Sequence, residues 1–138
     1  METIHDNISQ KTLEDKNRHR DEIDLLRSRL NLLDGTEKVL MTMYVENGNS
    51  FRQIARLLGV NETSIARRIH GLTERLISGE YITCLRNRGK FSRHQMEIAR
   101  DYFLMGLSIR KIAAKRHQSY YHVHKILGEI QSLIKNSE

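Results

Sequence analysis

Residues 48–77, GNSFRQIARLLGVNETSIARRIHGLTERLI, align without a gap on residues 106–134, GLSIRKIAAKRHQSYYHVHKILGEIQSLI, at an offset of 58 positions. The matched pairs are Gly48/Gly106, Ser50/Ser108, Arg52/Arg110, Ile54/Ile112, Ala55/Ala113, Ile65/Val123, Arg67/Lys125, Ile69/Leu127, Leu72/Ile130 and Leu76/Ile134. Self-similarity at a fixed period marks one supersecondary unit used twice. In the first copy Ser50 reads as the cap of a short helix, Phe51 to Leu58. Gly59 makes a turn, and Asn61 caps a longer helix that runs to about Ser78. Ala55 is small where two helices would approach most closely, and Val60 is placed to plug the corner. Ile54, Leu58, Ile65 and Ile69 are the expected shared core. Each copy therefore has the spacing of a helix-turn-helix.

The second copy keeps the Gly106 break, the Ser108 cap and Ile112-Ala113, with a last helix from about Ser119 to Ile134. Its turn departs from the first, because His117 stands where the first copy has Gly59. Either that turn adopts another conformation or His117 takes an unfavourable positive φ.

Outward from the repeat, Thr36 reads as an N-cap for a helix to about Glu46, closed by Asn47-Gly48-Asn49. Ser92 likewise opens a helix that runs to about Met105. Residues 13–34 read as an amphipathic helix with Ile23, Leu26, Leu30 and Leu33 on one face. That seam lasts only about two heptads, so it packs on its own domain or forms a homodimer contact. Residues 1–12 are polar and expected to fray. Residues 79–91, GEYITCLRNRGKF, form a basic linker that sequence leaves open among helix, strand and ordered turn. The expected fold is all-α: an N-terminal amphipathic helix followed by two tandem tri-helical helix-turn-helix units, 35–78 and 92–138.

Composition agrees. The 138 residues contain no proline and no tryptophan, which suits short-turned helices better than sheets. Cys84 is the only cysteine, so no intrachain disulfide forms. No apolar run reaches membrane-spanning length, and the start METIHDNISQK lacks a signal-peptide pattern, so a cytoplasmic, nucleoid-associated protein is expected. The net charge of +6 is uneven: residues 1–35 carry −2 and residues 36–138 carry +8. Positive charge thus sits on the repeat, where phosphate binding would need it.

The first copy also carries a resemblance. Ile54-Ala55, Leu58-Gly59-Val60, Ile65 with Ile69, and Arg75-Leu76, preceded by TEKVLMTMYVENGNSF, resemble region four of bacterial sigma factors over residues 33–78. No counterpart of sigma region two is visible, so a complete sigma factor is not implied. The second copy, residues 92–134, resembles the helix-turn-helix of resolvases and transposases in its Gly106-x-Ser108 and Ile112-Ala113 pattern, departing at His117. These likenesses imply double-stranded DNA as the partner, with RNA polymerase or a recombinase as alternative protein partners.

Candidate contact residues follow from helix-turn-helix docking, in which the second helix enters the major groove. In the first copy these are Glu62, Thr63, Ala66, Arg67 and His70, with Ser50, Arg52 and Gln53 on the supporting helix for phosphates. Arg67 is the best base reader, since its fork matches guanine O6 and N7, and Glu62 suits cytosine N4. In the second copy they are Tyr120, Tyr121, His124 and Lys125, with Ser108, Arg110 and Lys111. Arg86, Arg88 and Lys90 suggest an arm able to enter a narrow minor groove. His122 and His124 are two apart on different faces, a poor metal spacing, so neither metal nor cofactor is expected. No glycine-rich phosphate loop or catalytic carboxylate pair occurs, and a non-enzymatic role is expected. The leading reading is a transcription regulator with a bipartite DNA site. Alternatives are the recognition subunit of a transposition or recombination system, or a sigma-like adaptor on RNA polymerase.

Overall fold

A computed structural model describes the backbone of residues 2–137 and the side chains of residues 12–136. Eight helices follow in order: α1 Glu2–Arg29, α2 Gly35–Val45, α3 Phe51–Leu58, α4 Glu62–Ser78, α5 Glu80–Arg86, α6 Arg93–Ala99, α7 Ile109–Arg116 and α8 Tyr120–Ser137. No strand occurs among the described residues, so the fold is all-α. The long first helix begins at Glu2, where fraying was expected; the side chains of residues 1–11 lie outside the described residues. The second starts at Gly35 with Asp34 as its N-cap residue, two positions before the expected Thr36.

Two compact units divide the chain, residues 1–69 and 70–138, and α4 runs across the division. That division falls inside α4, whose last residue, Ser78, is where the sequence reading ends the first helix-turn-helix domain. A physical reason is visible in the second unit, where Arg75 near the end of α4 donates from Nε to the Leu104 carbonyl at 2.8 Å. The Arg75 guanidinium lies over Gly106, 2.5 Å from where a Cβ would stand, and the φ of 70° at Gly106 is one that residues with a Cβ rarely adopt.

In the first unit, α1 ends in a 3-10 turn, Leu30–Leu32, and packs on α2. Leu26, Leu30 and Leu33 are buried together with Leu40, Met41, Val45, Ile54, Ala55, Ile65 and Ile69. The apolar seam of α1 is thus spent within the chain from Leu26 onward. In the second unit, α5 and a 3-10 turn, Arg88–Lys90, occupy the stretch expected to be a linker. Cys84 of α5 is fully buried in a core with Ile98, Ala99, Phe103, Ile112, Ala113, Val123, Ile126, Leu127 and Ile130. Burial pushes its thiol up to about 11, with the nearby Glu80 carboxylate adding to the shift, so the thiol stays neutral. A π-helical turn, Arg100–Leu104, continues α6.

The repeat extends well beyond the residues whose side chains reveal it. At the same 58-position offset, the 3-10 turn Leu30–Leu32 matches Arg88–Lys90, and buried Leu26 matches buried Cys84. The Leu33 amide donates to the Leu30 carbonyl at 3.1 Å, and the Phe91 amide to the Arg88 carbonyl at 3.2 Å. Beyond the next helix, Asn49 donates to the Met43 carbonyl and Leu107 to the Asp101 carbonyl, both at 3.0 Å. Backbone hydrogen bonding is therefore shared where the side chains have diverged to pairs as unlike as Leu30 and Arg88.

Candidate nucleic-acid interface

Ser50 and Gln53 form a reciprocal capping box at the start of α3. Ser50 Oγ accepts from the Gln53 amide at 3.1 Å, and Gln53 Oε1 accepts from the Ser50 amide at 2.9 Å. Ser108 Oγ accepts from the Lys111 amide at 3.2 Å in α7. These side chains set the helix starts, and at that edge Arg52, Arg110 and Lys111 stand exposed.

Both turns take the same left-handed conformation. Gly59 has φ 68° and ψ 33°; His117 has φ 55° and ψ 45°. The amide after each closes the turn, Val60 to the Ala55 carbonyl at 3.0 Å and Gln118 to the Ala113 carbonyl at 2.9 Å. Of the two outcomes the sequence left open, His117 accepts the positive φ. The longer helices then start alike. Asn61 Oδ1 accepts from the Thr63 and Ser64 amides at 2.8 and 3.2 Å, and Ser119 Oγ accepts from the His122 amide at 3.0 Å.

On α4, Ile65 and Ile69 face the core while Glu62, Thr63, Arg67 and His70 are exposed and Ala66 is half-buried. Arg68 turns aside to Glu37, 3.5 Å away. On α8, Val123, Ile126 and Leu127 are buried, and Tyr120, Tyr121, His124 and Lys125 are exposed. Tyr121 is the most open at 84 %, and Tyr120 stacks on His124 with ring centroids 6.2 Å apart. Each set lies on the outward side of its own helix, within its first turns.

Two expectations need correction. Leu58, expected in the shared core, and Val60, expected to plug the corner, are both exposed: Leu58 is the last residue of α3 and Val60 lies in the turn beyond Gly59. Arg86, Arg88 and Lys90 belong to the end of α5 and a 3-10 turn, so no extended arm exists there, although all three are exposed. Lys115 is held by Asp101 (Nζ to Oδ1, 2.8 Å), and Arg116 binds the same carboxylate from Nε at 2.9 Å. Burial would raise the Asp101 carboxyl, but hydrogen bonds from Arg116 and Lys115 outweigh it and hold it below the usual carboxylate range.

One cluster was not legible in the sequence. His94 on α6 stacks on His122 of α8, with centroids 5.7 Å apart and planes 23° apart, and its Nε2 lies 3.1 Å from Gln118 Oε1. The two histidines are far apart in sequence, and only the α6–α8 packing brings them together. No group of three or more His, Cys, Asp or Glu able to hold a metal occurs among the described residues. Nor is any described helix long and apolar enough to cross a membrane.

A protein-family model described as a helix-turn-helix domain matches residues 27–71, the stretch from the end of α1 into α4. No curated protein and no solved structure matches the chain. With the geometry above, residues 27–71 form a helix-turn-helix domain.

Proposed function

We propose that this chain is a sequence-specific double-stranded DNA-binding protein, a transcription regulator that reads a bipartite site through α4 and α8. The observation that carries this reading is one backbone scaffold used twice with two different outward faces. Glu62, Thr63 and Arg67 stand on one copy where Tyr120, Tyr121 and Lys125 stand on the other. Different side chains at equivalent positions specify different bases, so the two halves of the site differ in sequence. Arg67 reads guanine; Tyr121 and Lys125 contact sugar and phosphate or a base edge.

Selection of bound duplexes from a random pool tests the reading, followed by anisotropy titration of the best binder. Two dissimilar half-sites should emerge, and Arg67→Ala should weaken the selected site by about 1–3 kcal/mol while relaxing one base position. Equal binding of all duplexes, untouched by Arg67→Ala, would sink it.

A further inference from the structure

We propose that the outward face of α8 reads thymine, taking its C5 methyl group in the major groove against the rings of Tyr121 and of the stacked pair Tyr120 and His124. The inference rests on the DNA-binding reading of the second unit and names the base class of its half-site.

Each base shows the major groove its own groups, and each asks for a different side chain. Guanine suits a guanidinium or ammonium, adenine an amide, cytosine a carboxylate, and the thymine methyl an apolar surface. The first turns of α4 carry two polar readers, Glu62 and Arg67. At the equivalent places α8 has Tyr120 and Lys125, and Tyr121 and His124 replace Thr63 and Ala66. Residues 119–125, SYYHVHK, contain no carboxylate, amide or guanidinium. The preceding amide, Gln118, is half-buried and has its Oε1 3.1 Å from His94 Nε2. Ser119 Oγ is engaged in capping the helix, and His122 turns to stack on His94. Lys125 is a point charge that serves phosphate as readily as guanine. Aromatic surface is therefore the main thing this face offers to a base pair.

That surface is both available and ordered. Tyr121 is 84 % exposed, and Tyr120 is 51 % exposed. One turn apart, the Tyr120 and His124 rings lie 6.2 Å apart with their planes 20° from parallel. The stack holds both side chains before DNA arrives, which lowers the entropy lost on binding. Covering such rings with a methyl group removes apolar area from water on both sides of the contact. Arg110, Lys111 and Lys125 stand exposed on the same unit for the phosphates, so the rings are not required for charge.

Deoxyuridine differs from thymidine only by that methyl group and pairs identically with adenine, so it isolates the contact. Duplexes bound by the full chain are selected from a random pool, and each thymine of the best binder is replaced singly by deoxyuridine. Anisotropy titration then compares wild type with Tyr120→Phe/Tyr121→Phe and Tyr120→Ala/Tyr121→Ala, with thermal melting checking both folds. Wild type should lose about three- to fivefold in affinity at one or more thymines, the transfer value of one buried methyl group. The Phe pair keeps the rings and should show the same losses; the Ala pair should bind thymine and uracil alike at those positions. A phenol-to-phosphate contact gives the opposite pattern, in which the Phe pair weakens every duplex and uracil costs nothing, and that result overturns the inference. A uracil loss that survives in the Ala pair overturns it too. Lys125→Ala and Arg110→Ala supply the other arm. If neither weakens binding, or the pool yields no preferred site, DNA reading by the second unit fails and this inference falls with it. If either weakens binding while wild type treats uracil and thymine alike, only this inference fails.

Discussion

Asp101 shows how one buried charge is made tolerable and what replaces it when it is absent. Its carboxylate is 1 % exposed and is bound by Lys115 and Arg116, whose side chains still reach solvent. At the equivalent places the first repeat has Met43, Leu57 and Leu58, so an ionic trio and an apolar trio occupy the same scaffold positions. Removing one member of a buried ionic set costs more than replacing the whole set by apolar residues. Asp101→Asn should therefore cost roughly 1–3 kcal/mol in denaturant unfolding, less than for a fully enclosed pair because both cations can rehydrate. Asp101→Met with Lys115→Leu and Arg116→Leu should recover most of that loss. A triple variant less stable than Asp101→Asn would refute this account. The lowered Asp101 carboxyl also gives a pH signature. Its contribution is present above the unfolded value, about 3.9, and is lost as pH falls through the lower folded value, so Asp101→Asn should flatten the acid limb of the stability curve.

Among the elements, the turn between α7 and α8 departs most from what its residue type favours. His117 holds φ 55° without being glycine, a conformation costing roughly 1–2 kcal/mol for a residue with a Cβ. Glycine's greater freedom in the unfolded chain offsets part of the gain, so His117→Gly should stabilise by roughly 0.5–1 kcal/mol and raise Tm by a few degrees. An unchanged or lower Tm would mean that the His117 side chain contributes packing that offsets the strain. Helix starts were legible from Ser50, Asn61, Ser92 and Ser108 because a cap is a local hydrogen bond between residues two or three apart. The helix of residues 80–86 was not, because Tyr81, Ile82 and Leu85 suit helix, strand and turn alike. Burial of Cys84 against Ile98 and Val123, contacts distant in sequence, decides it.

For the chain as a whole, the +8 carried by residues 36–138 bears on affinity more than on fold. If both units engage DNA through about six phosphates, affinity should fall by roughly a thousandfold between about 50 and 200 mM salt. Arg52→Ala with Arg110→Ala should lower the log–log salt slope by about two, since each removes one phosphate contact. A slope unchanged by both would place the phosphate contacts elsewhere on the surface. The all-helical class, the 58-residue period, the capped helix starts and the left-handed glycine at Gly59 all follow from the chain's own pattern, since each depends on residues close in sequence. The choice between two conformations at His117, the exposure of Leu58 and Val60, and the meeting of His94 with His122 depend on packing between segments far apart along the chain. No local spacing encodes those distances, so folding alone settles which side chains become core, which remain on the surface, and which become neighbours.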